Sequence, residues 1–101
     1  MSRFTISPAA ADDLDEILAF VARDGTSRAE IVAGRLRAAI LRAAKHPLLG
    51  HAHPAIDDPA LRVWVVAPYA VVYRHSTRPI EVVRILHGAR DVGALLGTPL
   101  D

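Results

Sequence analysis

The chain has 101 residues, with 12 Lys and Arg against 11 Asp and Glu, and no cysteine. That length predicts one domain over 1–101, and the lack of cysteine excludes disulfides, zinc knuckles and thiol chemistry. A formal charge of +1 does not fit an electrostatic nucleic-acid binder, and no run approaches the ~18 apolar residues of a membrane span.

The opening Met-Ser-Arg-Phe-Thr-Ile has no apolar leader segment, so cytoplasmic residence is the default expectation. Arg3 to Ser7 reads as a short first strand with Phe4 and Ile6 on one face. It is too short to stand alone and must pair with strands further on. Ser7-Pro8 then reads as a helix start: the Ser hydroxyl caps free amides, and Pro suits the first helical position. Leu14, Ile17, Leu18 and Val21 form one apolar stripe. Asp12, Asp13, Asp15 and Glu16 read as a solvated face rather than a metal site, because no His lies among them.

Asp24-Gly25-Thr26 breaks the pattern, with Gly25 suited to a left-handed cap. Ser27 and Glu30 form a candidate capping box for a second helix. This helix is expected to run to His46 and stop before Pro47. Val32, Leu36, Ala39, Ile40 and Ala43 line one side, widened by Ile31 and Leu41. The two helices make an antiparallel hairpin with a loop of about three residues. Arg28, Arg35 and Arg42 recur at a seven-residue interval. They read as a solvated face or as a strip that meets an acidic protein or a nucleic-acid backbone, the last disfavoured by the acidic residues of the first helix.

Pro47 to Pro59 is the longest irregular stretch. Its His51, His53 and Asp57 are of metal-ligating type, but nothing in their spacing preorganises them, so no metal is expected. Three β-branched and aromatic runs follow, from Leu61, Tyr69 and Ile80, bounded by Pro68 and Pro79. They predict an antiparallel meander. Strict alternation puts Ile80, Val82, Arg84 and Leu86 on one face. Arg84 thus falls on an apolar row, where an unpaired guanidinium is costly. It must reach a sheet end, an acidic partner or a ligand. His87 reads as a hydrogen-bonding strand end or as a general base. Trp64 reads as core or as a partner anchor. Asp91 to Asp101 could add a helical turn through Val92, Leu95 and Leu96.

The order is thus α+β: an N-terminal strand, a two-helix antiparallel hairpin, and a three-stranded antiparallel meander completing one sheet. With Ser7 to Ile17, His46-Pro47-Leu48-Leu49-Gly50, Arg62, Tyr69 to Arg74 and Val83 to Asp91, this order resembles the toxins of the RelE/ParE superfamily, most closely the ParE branch. The resemblance covers nearly the whole chain.

It implies the toxin component of a type II toxin-antitoxin system, neutralised by a ParD-like antitoxin that wraps it with a helix and an extended tail. For the ParE branch it further implies DNA gyrase as target and a block to replication. The RelE branch instead implies a ribosome-dependent messenger endoribonuclease. That chemistry needs an acid or base near the 2′-hydroxyl and cations around the scissile phosphate. Arg62, Arg84, His87 and Arg90 are the functional-surface candidates and would supply part of such a set. The stretch after Arg90 has no Tyr, His or Lys, which favours the gyrase-directed, non-enzymatic reading. A non-toxic binding homologue is the third reading.

For the antitoxin, the resemblance suggests an apolar groove between hairpin and sheet with Arg side chains at its rim. Trp64, Tyr69, Tyr73, Arg35 and Arg42 are the binding candidates. No cofactor and no metal are expected. Direct nucleic-acid binding is not expected without the target complex. Fold alone does not fix the activity.

Overall fold

In the computed structural model, residues 3–54 and 56–88 are described. The chain runs β1 (Phe4–Ile6), α1 (Pro8–Ala22), α2 (Thr26–Lys45), β2 (Leu61–Val66), β3 (Tyr69–Arg74) and β4 (Ile80–His87). The expected α+β order is therefore the observed one. The sheet order is β1-β4-β3-β2. The meander is antiparallel, whereas β1 joins β4 in parallel, with Phe4 opposite Ile80, so the sheet is mixed. The expected tail helix and Arg90 lie outside the described residues. Among the described residues, no helix is long and apolar enough to cross a membrane.

Ser7 links the sheet to the hairpin. Its hydroxyl accepts from the Ala10 amide at 3.1 Å and donates to the Val83 carbonyl at 2.8 Å. It thus caps α1 and fixes where the helix leaves the strand. α1 and α2 are joined by the three residues 23–25. The capping box does not form: α2 already begins at Thr26, and its N-cap is Gly25, without a side-chain cap. Nor is Gly25 a left-handed end to α1, whose C-cap is Arg23. Gly25 has φ 134° and ψ 141°, a positive-φ extended geometry that glycine adopts readily and other residues do not.

The core lies mainly between the hairpin and one sheet face. Ala10, Leu36 and Ile40 pack with Tyr69, Val71, Val82 and Ile85, and Leu14, Ile17 and Val32 adjoin them. Ala43, Tyr73 and Ile80 continue this layer, flanked by Phe4 and Trp64. Trp64 therefore sits at the edge of the core. The other sheet face buries Leu61, Val63, Ala70, Val72 and Leu86, with Ile56 of the 47–60 segment packed against them. Ile31, expected to widen the core stripe, is exposed.

Strict alternation fails in β4. Val72 lies opposite Arg84, yet Tyr73 lies opposite Val82, so Val83 is an extra residue. Such a β-bulge changes the phase of the strand. Ile80 and Val82 face the helices before it, and Ile85 faces them after it. Arg84 accordingly leaves the row of Ile80 and Val82 to which simple counting assigned it.

The described residues between α2 and β2 form no helix or named strand but are closely tied. His51 and Val63 exchange backbone hydrogen bonds of 2.9 and 2.8 Å. The Tyr73 hydroxyl, fully buried, donates to the Pro47 carbonyl at 2.7 Å and accepts from the Gly50 amide at 2.8 Å. Burial pushes the Tyr73 phenol up, against the Gly50 hydrogen bond and the charge of Arg62. Asp58 accepts from the Ala60 amide and from Arg74. A Cβ on Gly50 would stand 2.8 Å from the Val63 carbonyl oxygen and 2.9 Å from the Tyr73 hydroxyl. Gly50→Ala is therefore expected to destabilise the chain by about 2 kcal/mol, measured by urea unfolding. An unchanged midpoint would refute the close approach.

Candidate functional site

α1 carries Ile17, Phe20 and Val21, and α2 carries Ile31, Val32 and Arg35. Their sides meet the end of the sheet at Pro68, Tyr69 and His87. Together they line a groove of about 760 Å³. Phe20 and Ile31 are 67% and 64% exposed, although both are large and apolar. The Arg23 guanidinium stands 5.7 Å from the centroid of the Phe20 ring. The His87 and Tyr69 rings stand nearly perpendicular, with centroids 5.6 Å apart. The polar lining comprises Glu16, Asp24, Ser27, Arg28, Arg35 and His87.

Of the residues singled out in the sequence, Tyr69, His87 and Arg35 meet at this groove. Arg35 donates to the Ala67 carbonyl at 3.0 Å and so ties α2 to the β2–β3 turn. Tyr73 is not available to a partner: its ring is in the core and its hydroxyl is used at Pro47 and Gly50. Trp64 packs at the Ala43 and Ile80 end of the core and is not part of the groove lining. Arg42, two further turns along α2, is exposed and also lies outside that lining. Arg90 is outside the described residues.

Arg62 and Arg84 do not converge on a common site. Arg62 donates to the Gly50 carbonyl at 2.7 Å, and its Nε is buried without a hydrogen-bond partner. Arg84 grips Asp13 through Nε to Oδ2 at 2.7 Å and Nη2 to Oδ1 at 2.8 Å. The same Oδ2 accepts from the Ile85 amide at 2.9 Å. Asp13 is therefore not part of a solvated acidic face. Its carboxylate serves an arginine and an amide of β4 at once. Burial alone would raise the Asp13 pKa, but hydrogen bonds from Arg84 and Ile85, with the charge of Arg84, hold it below the ordinary value of 3.8. The bond to Asp13 raises the pKa of Arg84 against its burial, with support from the charges of Asp13 and Glu16.

His51, His53 and Asp57 do not assemble: among the described residues no group of three His, Cys, Asp or Glu side chains is placed to hold a metal. Sequence reasoning missed Phe20, Arg28, Glu16 and Asp24 as groove residues. A large aromatic standing off the Leu14, Ile17, Leu18 and Val21 stripe was the available signal for Phe20.

Residues 4–92 match the family described as "ParE toxin of type II toxin-antitoxin system, parDE". Two proteins named Toxin ParE1, from Mycobacterium tuberculosis strains CDC 1551 / Oshkosh and ATCC 25618 / H37Rv, are each 38% identical over 93 residues. Each alignment covers 90% of this chain and 94% of the relative. Among solved structures, a chain of the "Chromosomal ParDE TA system from P. aeruginosa" superposes with a TM-score of 0.71 at 19% identity. That match covers 86% of this chain and 99% of the other, and it bears on the fold alone.

Proposed function

Because the chain belongs to the ParE toxin family of type II toxin-antitoxin systems, we propose that it is a cytoplasmic poison of DNA gyrase, silenced by a ParD-like antitoxin seated in the groove under the hairpin. The observation that carries the antitoxin part is the groove itself. Phe20 and Ile31 expose most of their apolar surface beside Ile17, Val32 and Tyr69. A contiguous apolar patch of this kind marks an interaction site more often than an isolated exposed residue does. The apolar face of an amphipathic helix is the occupant that such a concave strip suits.

The gyrase part is supported by the engagement of Arg84, whose charge is met by Asp13. Arg62 is held in place by the Gly50 carbonyl, a neutral partner. Messenger cleavage would need cations free to surround a phosphate. His87 stands beside Tyr69 at the groove, where it would meet the antitoxin. This arrangement favours a toxin that acts by binding a protein machine over a nuclease.

The experiment is pulsed expression without antitoxin, following DNA synthesis, gyrase-trapped DNA breaks and messenger cleavage separately. Trapped breaks with intact messenger are expected. Early messenger cleavage with unaffected supercoiling would overturn the proposal. Ile31→Glu tests the groove: exposed substitutions of this kind change stability by about 0.5 kcal/mol or less. Yet a carboxylate in the strip is expected to weaken antitoxin binding by at least about tenfold. Titration calorimetry on the copurified antitoxin measures it, and an unchanged affinity would place the antitoxin elsewhere.

A further inference from the structure

Among the residues that line the groove, the charges on α2 are basic and the charge on α1 is acidic, while Arg23, over the Phe20 ring, stands outside that lining. On α2, Arg28 and Arg35 are seven residues apart, which puts them on one side of the helix about 10 Å apart along its axis. Arg35 is held by the Ala67 carbonyl, which is neutral and leaves its charge uncompensated. The Arg28 side chain has no hydrogen bond or ion pair among the described residues. On α1, Glu16 lines the opposite wall, and Asp24 stands at the turn that joins the helices. Glu16 also acts on Arg84 through its charge. Between these rims lie Phe20, Ile17, Ile31 and Val32.

Resting on the reading of the groove as the antitoxin site, we infer that its occupant is a bipolar amphipathic helix, with acidic side chains against the Arg28 and Arg35 wall and basic side chains against the Glu16 and Asp24 side. A helix with flanks of one sign gains on one wall and meets like charge on the other. Repulsion of that kind selects among partners as effectively as attraction does. The apolar strip alone accepts any greasy helix. The two rims therefore supply the discrimination between a cognate antitoxin and the antitoxins of other toxins with a similar strip.

Three synthetic helix-stabilised peptides test this on the full chain. Each is about 16 residues long, enough to exceed the length at which isolated helices are marginal. They share one apolar stripe and differ in their flanks: acidic on one side and basic on the other, acidic on both, or basic on both. In fluorescence anisotropy at low salt, the bipolar peptide is expected to bind at least about tenfold tighter than either uniform one. The advantage is expected to shrink at about 1 M salt, where screening is strong. Arg28→Glu with Arg35→Glu is expected to shift the preference to the peptide with two basic flanks, and Glu16→Arg to the one with two acidic flanks. Retained melting curves verify that both variants fold.

Equal affinity for all three peptides, abolished by Ile31→Glu, would leave the groove reading intact and overturn the charge inference. Absence of binding by every peptide would overturn both.

Discussion

Asp13→Ala is expected to lower the unfolding free energy by about 3 kcal/mol, which for a domain of this size corresponds to a fall in melting temperature of about 15 °C. The Asp13 and Arg84 side chains are only 11% and 22% exposed. Alanine removes a two-pronged ion pair, leaves the guanidinium without its counter-charge, and orphans the Ile85 amide. Thermal and urea unfolding measure the loss. A fall below about 1 kcal/mol, the range of exposed ion pairs, would show that the pair is of little consequence. Reversing the charge of Arg84 is then a folding defect before it is a functional one. Loss of toxicity in such a variant would report on α1 and β4, not on a target surface.

The same pair sets a pH dependence whose sign follows from the lowered Asp13 pKa. The unfolded chain binds this proton at a higher pH than the folded chain does. The contribution is therefore fully present above the ordinary aspartate value of 3.8 and is lost as pH falls through the lower, folded value. The stability gap between the parent chain and Asp13→Asn is expected to be widest near neutrality and to narrow below about pH 4. Urea titrations of both proteins across that range measure it. A gap that stays constant into acid would mean that the carboxylate charge contributes nothing.

Tyr73→Phe is the second large effect, expected at about 3 kcal/mol. The hydroxyl alone satisfies two backbone groups, the Gly50 amide and the Pro47 carbonyl. Each buried polar group left without a partner costs about 1–3 kcal/mol. The ring is 0% exposed, and Gly50 is itself buried, so water has poor access to replace the bonds. Besides the lower urea midpoint, amide hydrogen exchange at Gly50 should accelerate more than exchange in α2. Loss spread evenly over the chain would argue that the hydroxyl does not anchor the loop.

What could be seen in the sequence was what is fixed locally. Ser7-Pro8 signals its helix start through chemistry contained within one turn, and Pro47 blocks continuation of α2 by its own geometry. Pro68 and Pro79 divide three strands that carry their own β-branched runs. The pairings that decide the site are of a different kind. Asp13 meets Arg84 across 71 positions, and nothing near Asp13 distinguishes it from Asp12 or Asp15. The Arg84 oddity was visible, since an arginine among valines and isoleucines needs a partner, but which partner depended on where α1 crosses β4. Phe20 and Ile31 were hidden for another reason. Apolar periodicity reports that a side chain avoids water and is silent on whether its shelter belongs to the same molecule. Tyr73 is a binding candidate on the resemblance alone, with nothing local to say that its hydroxyl is used within the chain. The 47–60 segment covers Tyr73 and leaves Tyr69 near the groove.

The extra residue at Val83 makes β4 a counting device. Regular pleating with all eight residues of β4 retained would turn everything after Val82 by half a turn and swing the Ile85 side chain to the reverse of the sheet. Removal of the Val83 position would instead bring Val82 and Arg84 into direct succession, keep Ile85 on the helix side, and lose the carbonyl to which Ser7 donates. The strand is thus a chain with one slack link: it can shed that link and keep its later side chains on their faces, but it cannot straighten with the link in place.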